Sequence, residues 1–137
     1  MTRAELIWAG DRLAQEFGME LLEAEEGRCR VAVLVQERFL NAHGIGHGAL
    51  IFAVADVAFA LAVNSITDAV GVQWSLNMFR PARAGERLIA QAQLIHRGRQ
   101  LLVCELTVSG PEGRLIARGQ ATALPAPREG SSSCPQG

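Results

Sequence analysis

Cysteine is scarce and scattered in this sequence. Its 137 residues hold three, Cys29, Cys104 and Cys134, an odd number with no close pair. That argues against a disulfide framework and against a zinc knuckle, and leaves reduced thiols as the reading. Charge of one sign is missing too. Thirteen basic residues face 14 acidic ones, a formal net charge of -1, which gives nucleic acid or an anionic membrane nothing to be drawn to. No apolar run reaches the about 20 residues of a membrane span. No internal repeat is visible. The first residues, MTRAELIWAGDRLAQEF, are amphipathic and carry acids, unlike a secretory signal, so the cytoplasm is the expected compartment.

What is present is an ordinary globular balance, 49% hydrophobic and 20% charged, in a chain long enough to enclose one core. Its centre of gravity is the stretch from Asn41 to Ser65, NAHGIGHGALIFAVADVAFALAVNS, where a glycine- and histidine-rich loop runs into a helical segment. From Ala49 to Val63 the only polar side chain is Asp56. A helix apolar on nearly every face must be enclosed. The run is too short for lipid, and an ionisable group at its middle counts further against a span. The expectation is a buried core helix with one carboxylate, and a buried carboxylate needs a reason.

In chain order, residues 3 to 17 place Leu6, Ile7, Leu13 and Phe17 at three- and four-residue spacings, which reads as one amphipathic helix stopped by Gly18. Met19 to Ala24 and Arg28 to Val35 flank a Glu-Glu-Gly turn and read as a strand pair. After Asp68 the period becomes two: Val70, Val72, Trp74, Leu76 and Met78 form an apolar face, with Gly71, Gln73, Ser75 and Asn77 opposite. Arg87 to His96, Leu101 to Ser109 and Arg114 to Leu124 follow, joined by short turns at Arg97-Gly98-Arg99 and Gly110-Pro111-Glu112-Gly113, so an antiparallel meander is the economical topology. The expected organisation is a single α+β domain over 1–124, with an N-terminal helix inside 1–18, and a disordered tail over 125–137, rich in proline, serine and glycine. A sheet of five or six strands curling around the long helix would satisfy its apolar faces.

The stretch NAHGIGHGALIFAVADVAF, with the strand ending FRPARAGE and the turn HRGR, resembles the hotdog-fold acyl-CoA thioesterases, in particular the phenylacetic-acid-degradation (PaaI-type) family. The resemblance covers roughly residues 19 to 124. It implies a sheet wrapped around a central helix, homodimers that join their sheets edge to edge, and often a dimer-of-dimers tetramer. It implies hydrolysis of coenzyme A thioesters, small and aromatic ones (phenylacetyl or hydroxyphenylacetyl) first, with coenzyme A entering only as part of the substrate and no separate cofactor. It also implies a helix carboxylate as base or nucleophile, a backbone amide at the helix start that holds the thioester oxygen, and a nucleotide-side turn like Arg97-Gly98-Arg99. One departure stands out: the family usually has two glycines after the histidine, whereas here Gly48 is followed by Ala49.

The residues support the same site on chemical grounds. The first amides of a helix lack an intrahelical acceptor and sit at the positive end of its dipole. Gly48, without a Cβ, would let a substrate carbonyl approach such an amide; alternatively Gly44, Gly46 and Gly48 serve only loop conformation. Asp56 would activate water or attack the acyl carbon, unless it is a structural carboxylate. Eight residues at about 1.5 Å rise separate the two groups by roughly 12 Å, too far for one acyl carbon, so Gly48 and Asp56 should meet across a dimer interface. Asn41 either orients water or thioester or caps the loop, and His47 either fixes the loop or touches the thioester. His43 and His47 with Asp56 lack a familiar metal-ligand spacing, so no metal is expected. Any of Gln73, Ser75 and Asn77 could reach a neighbouring site. Arg80, Arg83, Arg97 and Arg99, at strand ends and turns, either hold phosphates or are solvated. Two alternatives stay open: a non-catalytic acyl-CoA-binding hotdog module, and a hotdog dehydratase or hydratase.

Overall fold

The computed structural model describes residues 1–126, so most of the expected tail, Cys134 included, lies outside the described residues. Six strands form one antiparallel sheet: β1 (Glu20–Glu25), β2 (Arg28–Leu34), β3 (Ala69–Met78), β4 (Arg87–Arg97), β5 (Leu102–Ser109) and β6 (Leu115–Pro125). Their order across the sheet is β1-β2-β4-β5-β6-β3, so the β4-β5-β6 meander is flanked by the β1-β2 hairpin on one side and by β3 on the other. Cys29, Val31 and Val33 of β2, Leu88, Ala90 and Ala92 of β4, and Leu102, Cys104, Leu106 and Val108 of β5 point into one core. Strict alternation along β5 is what a sheet with one buried face requires.

Helix α3 (Gly48–Asn64) lies across that face. Much of the sheet beneath it is alanine, including Ala90, Ala92, Ala121 and Ala123, all fully buried, which leaves room for Phe59 and Leu61 of the helix. Burying a side chain of that size stabilises by roughly 2–3 kcal/mol, so the helix is held by packing more than by propensity. Its end is tied by Asn64: the side-chain amide donates to Ala60 O (2.9 Å) and Ala69 O (3.1 Å) and its oxygen accepts from Ala69 N (3.0 Å). A buried amide satisfied on both sides joins the end of α3 to the start of β3.

Three expectations need correction. The N-terminal helix is two: α1 (Arg3–Gly10) and α2 (Arg12–Glu16). Asp11 adopts an extended conformation and its carboxylate accepts from Ala14 N at 3.0 Å, capping α2 and ending α1. As a result Leu6 and Leu13 are exposed, and Ala4 and Ala14 are the buried residues of these helices. Second, β3 does not alternate throughout. Gly71 pairs with Ala123 and Gln73 with Thr122, so Val72 is an extra residue and the strand bulges there. Val70 and Val72 are therefore exposed, while Trp74 and Leu76 pack on the core. Third, α3 is not enclosed on all sides. Ala49, Phe52, Ala53, Asp56 and Ala60, at three- and four-residue spacings, form a stripe that is not fully covered.

Cys29 and Cys104 are free thiols, both fully buried. Burial, chiefly, pushes Cys29 up to about 11 and Cys104 up to about 12. Among the described residues no helix is long and apolar enough to cross a membrane, and no group of three or more His, Cys, Asp or Glu gathers as a metal site.

Candidate active site

The loop before α3 is built around Asn41. Its Oδ1 accepts from His43 N (2.9 Å) and Ile45 N (3.3 Å), and its backbone exchanges bonds with Ile45 and Gly44. Asn41 is thus a loop cap, one of the two roles open to it, and its oxygen is committed there. His47 is the N-cap of α3: its Nδ1 accepts from Ala49 N at 3.0 Å, and its own N–H donates to Phe39 O at 2.8 Å. It fixes the loop.

The three glycines of the loop differ. Gly44 has φ of +77°, which a side chain would strain. A Cβ on Gly46 would lie 3.1 Å from Ala82 O, which accepts the Gly46 N–H. Gly48 has neither constraint; a Cβ there would meet only Met78, its Sδ at an ordinary 3.5 Å. The amides of Leu50 and Ile51 turn to His47 O and that of Ala49 to His47 Nδ1, so among the described residues the Gly48 amide is the first-turn donor left without an acceptor. Gly48 lines a depression of about 470 Å³ together with Asn41, Met78 and Arg80. On the other side of the helix start, an apolar groove of about 400 Å³ runs past His47, Ala49 and Ala53 beneath Phe17 and Phe39.

Asp56 sits two turns further along the helix, half-buried on the open stripe. Its Oδ1 accepts from Trp74 Nε1 at 2.7 Å. Burial raises its pKa above the ordinary carboxylate value, the Trp74 bond opposes that rise, and the charge of Asp11 adds to it. Trp74 is the residue that sequence reasoning missed. Strict period two put it among core residues and directed attention to Gln73, Ser75 and Asn77, all exposed. The available signal was Gly71, a lone glycine inside a strand, which is a mark of a bulge.

The arginines separate. Arg80 borders the Gly48 depression and donates to Leu115 O at 3.1 Å. Arg83 lies in the turn before β4, its N–H donating to Glu86 at 2.7 Å. Arg97, Gly98 and Arg99 are at the opposite end of β4 from the segment that holds Gly46, roughly 33 Å away at about 3.3 Å per residue. Arg97 is exposed and 3.8 Å from Glu26, and Gly98 and Arg99 edge a separate shallow depression. The structure brings Asn41, Gly48 and Arg80 together and leaves Asp56 and the Arg97–Arg99 turn apart from them.

Comparison with known proteins agrees with this fold. Residues 43–117 match the thioesterase superfamily. A Deinococcus radiodurans protein, provisionally named an esterase, is 43% identical over 105 residues, covering 76% of this chain and 72% of its own. The acyl-coenzyme A thioesterase PaaI of Escherichia coli is 32% identical over 83% of this chain and 82% of its own. The structure of that PaaI protein superposes with a TM-score of 0.88 over 91% of both chains, at 29% identity. A Streptococcus mutans protein solved with acetyl-CoA bound gives a TM-score of 0.74 at 27% identity, covering 77% of this chain and 86% of that one. With its six-stranded sheet around α3, the chain belongs to the thioesterase superfamily and is a hotdog-fold thioester hydrolase.

Proposed function

We propose that this protein hydrolyses acyl-CoA thioesters, with Asp56 as general base or nucleophile and the Gly48 amide as oxyanion donor. The observation that carries the assignment is the pair of otherwise unexplained groups on α3: a half-buried carboxylate, and a glycine whose identity neither φ nor crowding demands, beside an amide without an acceptor. The E. coli relative's name and the acetyl-CoA in the S. mutans relative support the coenzyme A half of the substrate.

Asp56 ionised takes a proton from water, and the hydroxide adds to the thioester carbon; in the nucleophilic variant the carboxylate itself adds, and water then opens the anhydride. Either way the carbonyl oxygen becomes an anion, which the Gly48 N–H stabilises. Collapse expels the CoA thiolate, which takes up a proton. No metal or separate cofactor enters these steps.

The roughly 12 Å between the groups calls for a second copy. The two sheet edges differ in a way that suggests where it joins. β1 carries Glu20, Glu23 and Glu25, the kind of charge that discourages pairing, while β3 and its continuation expose Val70, Val72, Met78 and Phe79. Pairing through β3 would bring each subunit's open α3 stripe toward its partner, and two such dimers would form a tetramer. Phe52, 38% exposed one turn before Asp56, together with Trp74 offers rings to an aromatic acyl group, and the Arg97–Arg99 turn would serve a partner's nucleotide. Thiol release from arylacetyl-CoA and straight-chain acyl-CoAs by wild type and Asp56→Asn tests the reading. A folded Asp56→Asn protein as active as wild type would sink it.

A further inference from the structure

We propose that Trp74 is a positioning residue for the Asp56 carboxyl: its indole N–H fixes Oδ1 and leaves Oδ2 as the oxygen that meets water or the acyl carbon. The proposal rests on Asp56 being the reacting group, as read above.

Four features of the structure converge on this role. The first is the bulge at Val72: with Gly71 opposite Ala123 and Gln73 opposite Thr122, Trp74 falls opposite the buried Ala121 and turns to the helix side of the sheet. A regular strand would have put Trp74 on the opposite face from Gly71. Secondly, Gly71 clears the indole's seat. A Cβ there would stand 2.5 Å from Trp74 Cζ2 and 2.9 Å from Phe59 Cε2, closer than atoms tolerate. Thirdly, Phe52 and Phe59 hold the indole edge-on at centroid distances of 5.8 and 6.1 Å. Finally, the Nε1–Oδ1 distance of 2.7 Å is that of a charge-assisted bond, and Asp56 has no other hydrogen-bond partner among the described residues.

The choice of donor has a chemical consequence. Indole nitrogen donates and does not accept, so it can orient a carboxylate without competing for the proton that the carboxylate must take. The other charged group that acts on Asp56 does not substitute for it: Asp11, at the α1–α2 junction, repels. The bond favours the ionised form, so its loss should raise the Asp56 pKa further.

The test is the pH dependence of kcat and KM for Trp74→Phe, which keeps the ring against Phe52 and Phe59 and deletes only the donor. About a tenfold loss of kcat with little change in KM is expected, the size of one bond to a charged group. The acid limb of kcat/KM should move to higher pH. Gly71→Ala, which displaces the indole, should shift both in the same direction. Wild-type kcat with an unmoved acid limb in Trp74→Phe overturns the proposal, while an active Asp56→Asn protein overturns instead the reading it rests on. A second measurement keeps Trp74 in place. In Trp8→Phe the sole tryptophan of the described residues is Trp74, and its emission should titrate with the acid limb and lose that transition in the added presence of Asp56→Asn. A flat titration overturns the proposal even where Trp74→Phe fails to fold.

Discussion

The two ends of the site are held by different means. At the start of α3 the proposed oxyanion donor is a backbone amide, placed by a loop whose Asn41 and His47 side chains both bond to backbone. At Asp56 the proposed base or nucleophile is a side chain, hydrogen-bonded to a residue 18 positions away on a bulged strand. A backbone donor is pre-set once the helix forms. A half-buried carboxylate has to be kept ionised and aimed by something outside its own helix. Substitutions should therefore act through chemistry at Asp56 and through access at Gly48.

The largest effect is expected at Asp56. Asp56→Asn should lower kcat by about a thousandfold, within the span attributed to a positioned acid or base, as read by thiol release. The same variant should be more stable at neutral pH. Burial raises the folded-state pKa of Asp56 above its unfolded value. Its stabilising contribution is therefore complete below the unfolded pKa and is lost as pH rises through the folded one, so removing the charge should raise Tm at neutral pH. A lowered Tm there would show that the carboxylate supports the fold. In the wild type, kcat/KM should fall as pH drops through the raised Asp56 pKa, because the protonated acid can neither take a proton nor attack.

Next comes the glycine end. Gly48→Val should cost about a hundredfold in kcat, comparable with loss of one oxyanion donor, while the circular dichroism spectrum and Tm stay near wild type. Gly46→Val should do the reverse and lose Tm first, since its side chain would press on Ala82 O. If the two variants behave alike, the distinction between access and crowding fails. Mixing Asp56→Asn with Gly48→Val chains should restore about a quarter of wild-type activity: half of random dimers are mixed, and each holds one intact site of two. No rescue in verified mixed dimers would confine each site to one chain. The smallest effect is expected at Arg97→Ala or Arg99→Ala, a few-fold rise in KM for acyl-CoA at unchanged kcat, as for an exposed charge–phosphate contact.

Both candidate groups on α3, the Gly48 amide and the Asp56 carboxylate, were legible in the sequence, whereas the residue bonded to the carboxylate was not. Helix α3 announces itself through fifteen nearly uniform apolar positions, and the β4-β5-β6 meander through alternation broken at glycine turns. The glycines and His47 before the helix pointed to a free amide without any tertiary information. What stayed hidden depends on contacts between distant segments. Asp11 reads as one more polar residue in a helical period until its carboxylate caps α2. Trp74 reads as one more core residue until its indole nitrogen is found donating to Asp56. The open stripe on α3 was invisible because alanines and a phenylalanine look the same to periodicity whether a sheet covers them or not.

The two buried cysteines carry a consequence for an enzyme that liberates a thiol at each turnover. Thiol–disulfide exchange proceeds through the thiolate. Cys29 and Cys104, pushed up to about 11 and about 12 and with no exposed surface, present almost none at neutral pH. Neither should form mixed disulfides with the oxidised form of the released thiol. On that account, the core of this catalyst is chemically deaf to the redox state of its own product.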